Sequence, residues 1–266
     1  MTSDPGVFRD SQPAAWTFHR GTARWVFSGG GGVNPPVQPG RESPGAPWTA
    51  LPDGPPVTRM LSQVLAERVS CRSFRDEAVD LARLATLVRG CYGMGQRLAL
   101  DDLEVVERPN PSAGGLYPLE LSLVVRDVEG LAPGVHHYVP AADGLELLRE
   151  GPFPQEWVEY LFMGQPWVAR AAVVVVLSAV TGRSLVKYGD RGYRYLLLEA
   201  GHVTQTLVLL AAGLGLGAVT IGGFYDDELA GLLRVDAERE VPLYATAVGV
   251  PAGEGRMARR ALPGGS

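Results

Sequence analysis

A chain of 266 residues, 46% hydrophobic and 20% charged, is long enough for a sizeable core and has the ordinary balance of a soluble globular protein. Its net charge of -5, with no basic run interleaved with aromatics, excludes a nucleic-acid binder, which needs a basic face to displace counterions. Two cysteines, Cys71 and Cys91, exclude a disulfide framework, and four histidines without ligand spacing exclude a metal site. The apolar runs at 171–177 and 207–218 are too short for a bilayer and no signal pattern opens the chain, so a cytoplasmic protein without membrane contact is expected.

Residues 1–56 are rich in Gly and Pro, including Gly29 to Gly32 and the pair Pro35-Pro36, which predicts an extended N-terminal arm. Trp16, Phe18, Trp25, Phe27 and Trp48 are too many aromatics for a disordered tail, so this arm is expected to dock. The body, residues 57–266, opens with Leu61, Val64 and Leu65 at helical spacing over 60–68. Leu81, Leu84, Leu87, Val88 and Cys91 then make the stripe of an amphipathic helix over 81–92. Residues 119–126 are β-rich, and 134–139 with 144–148 read as strands joined by an Asp-Gly turn. The valine run in 171–180 marks a buried strand.

Asp190 is placed to cap a helix reaching about residue 212, apolar nearly all round and so expected to be central and enclosed. Gly213, Gly215 and Gly217 follow that helix and precede a strand, the reverse of a dinucleotide-binding turn, and are assigned to helix termination. A short helix at 226–233 and a strand at 243–250 come before a basic tail. The sum is an α+β body of helices around one sheet.

Five segments carry residues suited to chemistry. Lys187-Tyr188 stands at the junction into the long helix, where an ammonium beside a phenol favours phenolate and makes a proton-transfer unit; the alternative is a turn with a solvated lysine. Arg68, Ser70 and Arg72 alternate, so their side chains could meet one anion, or form a surface charge cluster. Ser112, Ala113 and Gly114 make a small-residue loop that lets backbone approach a flat ligand, or an ordinary turn. Ile221, Gly222 and Gly223 end a strand with exposed N–H groups, and Arg256, Arg259 and Arg260 put cations on the tail. His202 and Glu199 are read as structural, Glu199 as a buried partner for an arginine such as Arg194 or for a backbone group.

In this order, Arg68-x-Ser70-x-Arg72-x-Phe74, the Pro-Ser-Ala-Gly-Gly-Leu-Tyr-Pro segment at 111–118, the run from Lys187 to His202, and Gly215 through Phe224 resemble the nitroreductase superfamily. Within it they are similar to the SagB-type, thiazole/oxazole-forming dehydrogenases. The resemblance spans about residues 51 to 260, and Phe18-His19-Arg20-Gly21-Thr22 is similar to that branch's N-terminal part. A plain nitroreductase carries an acidic residue where Gly222 stands here.

The resemblance implies a nitroreductase-like FMN-dependent fold, with a central mixed sheet flanked by helices and a homodimer holding FMN at its interface. Arg68 and Ser70 would hold the phosphate and ribityl chain, with Arg256 and Arg259 completing the phosphate site. Arg72 would lie at the pyrimidine edge, and Ser112, Ala113 and Gly114 would come from the other subunit. Ile221, Gly222 and Gly223 would face the flavin N5 and O4 edge. The implied substrate is an azoline-containing peptide made by a cyclodehydratase. Hydride passes to N5, Tyr188 takes a proton from the ring, Lys187 assists and dioxygen reoxidises the flavin. Other readings are an NAD(P)H-dependent nitro or quinone reductase, a nonribosomal thiazoline oxidase, and a flavin-less scaffold subunit.

Overall fold

The valine run at 173–176 owes its lack of alternation to a central strand covered on both faces. The computed structural model describes residues 12–23, 40–100 and 103–253; Trp25, Phe27, Arg256, Arg259 and Arg260 lie outside them. Seven helices occur among the described residues: α1 (Pro13–Gly21), α2 (Leu61–Glu67), α3 (Leu81–Tyr92), α4 (Gln155–Leu161), α5 (Thr181–Tyr188), α6 (Asp190–Gly213) and α7 (Asp226–Leu233). The strands are β1 (Trp48–Ala50), β2 (Val79–Asp80), β3 (Arg97–Leu100), β4 (Leu103–Val106), β5 (Leu119–Val125), β6 (Val128–Glu129), β7 (Gly134–Val139), β8 (Gly144–Glu150), β9 (Val173–Val180), β10 (Gly217–Ile221) and β11 (Glu240–Gly249).

Seven strands form the main sheet in the order β1-β8-β7-β5-β9-β11-β10. A mixed sheet was expected, but every strand pairing in it is antiparallel. Among the described residues, parallel pairing occurs in the short β2–β6 pair and at a bridge from Ser70 to Ala218 along the β10 edge. Hydrophobic alternation sets which side chains face the core but not the direction of the neighbouring strand, so this lay beyond the pattern.

On β5 and β9, Leu119, Leu121, Leu123, Val173, Val175 and Leu177 pack with α3 and α6, while Val124, Val174 and Val176 pack with α4 and α7. Asp80 caps α3, its carboxylate accepting from the Arg83 N–H at 2.7 Å. Asp190 lies inside the first turn of α6 rather than capping it; the preceding residue is Gly189, at φ 53° and ψ -147°. That conformation suits glycine and separates α5 from α6. The 24 residues of α6 are, by length and composition, enough to cross a membrane, although the shorter runs read from sequence were not. Packing of Leu196, Ala200, Val203 and Leu207 into the core accounts for that composition.

Within the segment expected to be extended, α1 starts on Pro13 and lies against the start of α6. Arg191 donates to the Thr22 carbonyl at 2.6 Å, Arg194 donates to the His19 carbonyl and the Thr22 hydroxyl, and Phe18 meets Tyr193 edge to face. Further on, β1 extends the sheet beside β8.

Past the second apolar cluster, the same sheet face turns polar. Glu120 (β5), His137 (β7) and Glu240 (β11) are all buried there, with Ser122 and Ser178 between them. Glu120 pairs with Arg183 at 2.7 Å and with His137 at 2.8 Å, and the Arg41 N–H donates to it at 3.0 Å. The Arg41 guanidinium reaches Glu240 at 3.0 Å and Ser122 at 3.2 Å. Arg183 lies one helical turn before Lys187, so this charge network anchors the helix that carries the Lys-Tyr pair.

Candidate functional site

The expected site residues fall into two groups. The first is built around Gly114, which has φ 67° inside a 3-10 turn. A methyl group placed on Gly114 would stand 2.6 Å from the Tyr188 hydroxyl and 2.8 Å from Lys187 Nζ. Only a residue without Cβ lets the turn and the pair come this close. Lys187 Nζ is 5.2 Å from the Tyr188 ring centre, and Tyr188 meets Tyr195 edge to face at 5.0 Å. Both side chains are half-buried, on the last turn of α5 rather than on a loop.

Beneath this turn Ser112 donates to Glu199 Oε2 at 2.6 Å and accepts from the Tyr117 N–H at 2.9 Å. Tyr92 donates to Glu199 Oε1 at 3.4 Å and accepts from the Leu119 N–H at 3.0 Å. The partners of Glu199 are thus two hydroxyls and not Arg194, which is engaged with α1. Burial pushes the Glu199 carboxyl up to about 7, against the lowering pull of the Ser112 and Tyr92 hydrogen bonds and the Arg108 charge. His202, expected in the core, is exposed. Tyr92, Arg108 and Asn110 were not singled out from sequence. The available signal was Glu199 itself, an acidic residue within the apolar stripe of Leu196, Ala200 and Val203.

The second group lies along β10. Ser70 and Cys71 extend the β10 edge, the Cys71 N–H donating to the Ala218 carbonyl at 3.0 Å. Arg68 lines a cavity of about 480 Å³ together with Arg59, Cys71, Val208, Ala212 and Ala218. Glu67 pairs with Arg59, whereas Arg68 forms no ion pair among the described residues. An uncompensated guanidinium in a cavity of this size fits a phosphate-bearing ligand. Ser70 and Arg72 do not line the cavity; both are exposed, and Arg72 lies 5.7 Å over the Trp167 ring. Ile221 is buried and Gly222 exposed, while Gly223 borders Met163 and Gln165.

The two groups lie apart within one chain. Ser112–Gly114 leads into β5, and β9 and β11 separate β5 from β10, a span of about 14 Å across the sheet. Tyr188 meets Tyr195 in the second turn of α6, and Val208 and Ala212 near its end line the cavity, roughly 20–25 Å along the helix. Among the described residues, no group of His, Cys, Asp and Glu is placed to hold a metal.

This sheet with its flanking helices is the fold of the nitroreductases. The Nitroreductase family profile matches residues 65–250, and the chain belongs to that family of flavin oxidoreductases. It is 34% identical over 189 residues to MJ1384 of Methanocaldococcus jannaschii, a protein assigned to the nitroreductases, covering 71% of this chain and 90% of that one. It is 30% identical over 142 residues to the microcin B17-processing protein McbC of Escherichia coli, covering 52% of each. A nitroreductase-family crystal structure from Anabaena variabilis superposes with a TM-score of 0.65 at 28% identity, over 78% of this chain and 42% of that one. A chain of the E. coli microcin synthetase McbBCD complex shares the fold, with a TM-score of 0.60 at 22% identity over 93% of this chain and 94% of that one. The chain therefore spans about half the length of McbC and less than half of the Anabaena protein.

Proposed function

We propose that this protein is an FMN-dependent dehydrogenase that converts peptide thiazolines or oxazolines to thiazoles or oxazoles, working in the cytoplasm beside the cyclodehydratase that makes them. The observation that carries this reading is the Lys187-Tyr188 pair seated on the turn at Gly114. Aromatising an azoline removes a hydride and a proton from adjacent ring atoms. FMN, when bound, supplies the two-electron acceptor. Tyr188, its hydroxyl over Gly114, takes the proton, and the Lys187 ammonium lies 5.2 Å from its ring. The likeness to McbC, named for processing a peptide, supports a peptide substrate.

Arg68 would hold the FMN phosphate in its cavity with Ser70 toward the ribityl chain, and Arg72 and Ile221–Gly223 would border the ring system. The distance along α6 between Arg68 and the Lys-Tyr pair supports a homodimer in which one subunit supplies Arg68 and the other Ser112, Ala113, Gly114, Lys187 and Tyr188. The 57–266 body would then be the flavin-binding unit and the 1–56 arm an accessory to it, with Arg256 and Arg259 as further phosphate ligands.

Purified protein is expected to be yellow, to release FMN on heating, and to remove two hydrogens per ring from an azoline peptide under air. Colourless protein that refuses FMN would overturn this reading. Arg68→Ala is expected to weaken FMN binding by roughly 10- to 100-fold, the worth of a charged hydrogen bond, measured by flavin fluorescence on dilution. Unchanged retention would remove Arg68 from the phosphate site. The relationship to MJ1384 favours a second reading, an NAD(P)H-dependent nitro or quinone reductase. Rapid flavin bleaching by NAD(P)H with nitroaromatic turnover, and none with azolines, would select it.

A further inference from the structure

We propose that Glu199, buried beneath the 112–115 turn and joined to it through Ser112, is a positioning residue that fixes the surface on which Lys187 and Tyr188 rest. This rests on the azoline-dehydrogenase reading for its consequence in catalysis, but not for its geometry.

The hydrogen-bond directions define the device. Ser112 Oγ and Tyr92 Oη each accept from a backbone N–H, of Tyr117 and Leu119, and each turns its own proton toward one oxygen of Glu199. A buried carboxyl, 3% exposed, thus meets two donors and serves as acceptor to both. The Tyr117 amide belongs to the strained end of the same turn, at φ 44°, and Gly114 at φ 67° touches Tyr188 and Lys187. One carboxylate therefore holds both ends of the turn.

The groups facing Glu199 come from several elements. Tyr92 approaches from α3, Ser112 from the turn, and Arg108, 4.4 Å over the Tyr92 ring, adds a positive charge; Glu120 on β5 acts on Tyr92 from its far side. Protonating Glu199 gives it a hydrogen aimed at a hydroxyl that is already donating. One hydroxyl must then rotate to accept that hydrogen, and a charge-assisted bond to the carboxylate becomes a weaker neutral one. Ionised Glu199 keeps the turn, and its protonation loosens it. Burial puts that transition at about 7, inside the working range of an enzyme.

Two readouts test this on the full-length holoprotein. In the first, hydrogen exchange of the 113–117 amides, corrected for intrinsic rate, is followed against pH without substrate. Protection is expected to fall as pH drops through about 7 in the parent, and to be independent of pH in Glu199→Gln, which keeps the acceptor oxygen but cannot ionise. Ser112→Ala should lose the protection at every pH. In the second, kcat for an azoline peptide is expected to show a step of roughly tenfold centred near pH 7 in the parent that is absent in Glu199→Gln, whose remaining pH dependence is that of the base alone, with KM little changed. A parent-like exchange profile in Glu199→Gln, or a kcat step near pH 7 that survives the substitution unchanged, overturns the proposal. A parent that oxidises no azoline yet shows the exchange transition leaves Glu199 in its positioning role and removes the dehydrogenase reading instead.

Discussion

Tyr188→Phe is expected to lower azole formation by roughly 10²- to 10⁴-fold, the range for losing a positioned general base, with fold and FMN content intact. Phenylalanine keeps the edge-to-face contact with Tyr195 and the ring beside the Lys187 ammonium, so only the hydroxyl over Gly114 is lost. The check is the two-hydrogen mass loss per ring, followed with time at equal flavin occupancy. Turnover equal to the parent's would take Tyr188 out of the mechanism. Lys187→Met should cost less, since it leaves the Tyr188 hydroxyl in place and removes only the ammonium 5.2 Å from its ring. If the site is shared between subunits, mixing Tyr188→Phe with Arg68→Ala chains rebuilds one complete site per mixed dimer, and activity rises above that of either variant alone at FMN concentrations that leave Arg68→Ala largely empty.

Glu120→Gln is expected to destabilise the protein by about 3–5 kcal/mol near neutral pH, the usual cost of breaking a buried ion pair from one side. It would leave the buried Arg183 facing a neutral amide, and of the two oxygens that serve Arg183, His137 and the Arg41 amide only one would remain an acceptor. Burial raises the Glu120 carboxyl, but the His137 hydrogen bond, the Arg183 charge and the Arg41 N–H outweigh it and hold it below its ordinary range. A lowered carboxylate contributes stability above its unfolded value and loses it as pH falls through its folded one. Urea unfolding should therefore show the parent and the variant converging in acid, below the ordinary carboxylate range. A gap that persists there would mean that shape, not charge, makes the contribution. Because Arg183 precedes Lys187 by one turn, the variant should also disturb catalysis in protein that remains folded.

How far the sequence carried the fold depended on how local each cause was. The Leu81, Leu84, Leu87, Val88 stripe placed α3 within its observed bounds, and the Asp143-Gly144 turn joined β7 to β8, because period and turn chemistry are properties of neighbours. α5 went unseen: it starts directly after β9 without a turn, and its eight residues, Gly182 among them, are too few for a helical repeat to stand out. The Lys-Tyr pair was recognised, but its seat on Gly114 depends on a turn more than seventy residues earlier. The charge network was hidden for the same reason, since Arg41 meets Glu240 across 199 residues of chain. The burial of Glu199 is legible in the stripe around it, but its hydroxyl partners are not. Its spacing from Arg194 was visible along one helix, whereas Ser112 and Tyr92 come from elsewhere in the fold.

The segment at 40–47 is fastened to the sheet largely through its main chain: the Arg41 N–H goes to Glu120, and the Ser43 N–H to both oxygens of Glu146 at 3.1 Å. Amide protons are supplied by every residue but proline. The identity of residue 43 is consequently almost free to drift over evolutionary time, while Glu120 and Glu146 on the receiving strands are not. In a deep mutational scan the attachment would register as intolerance on β5 and β8, and the segment they hold would look tolerant apart from Arg41 and Gly45, whose φ is 85°.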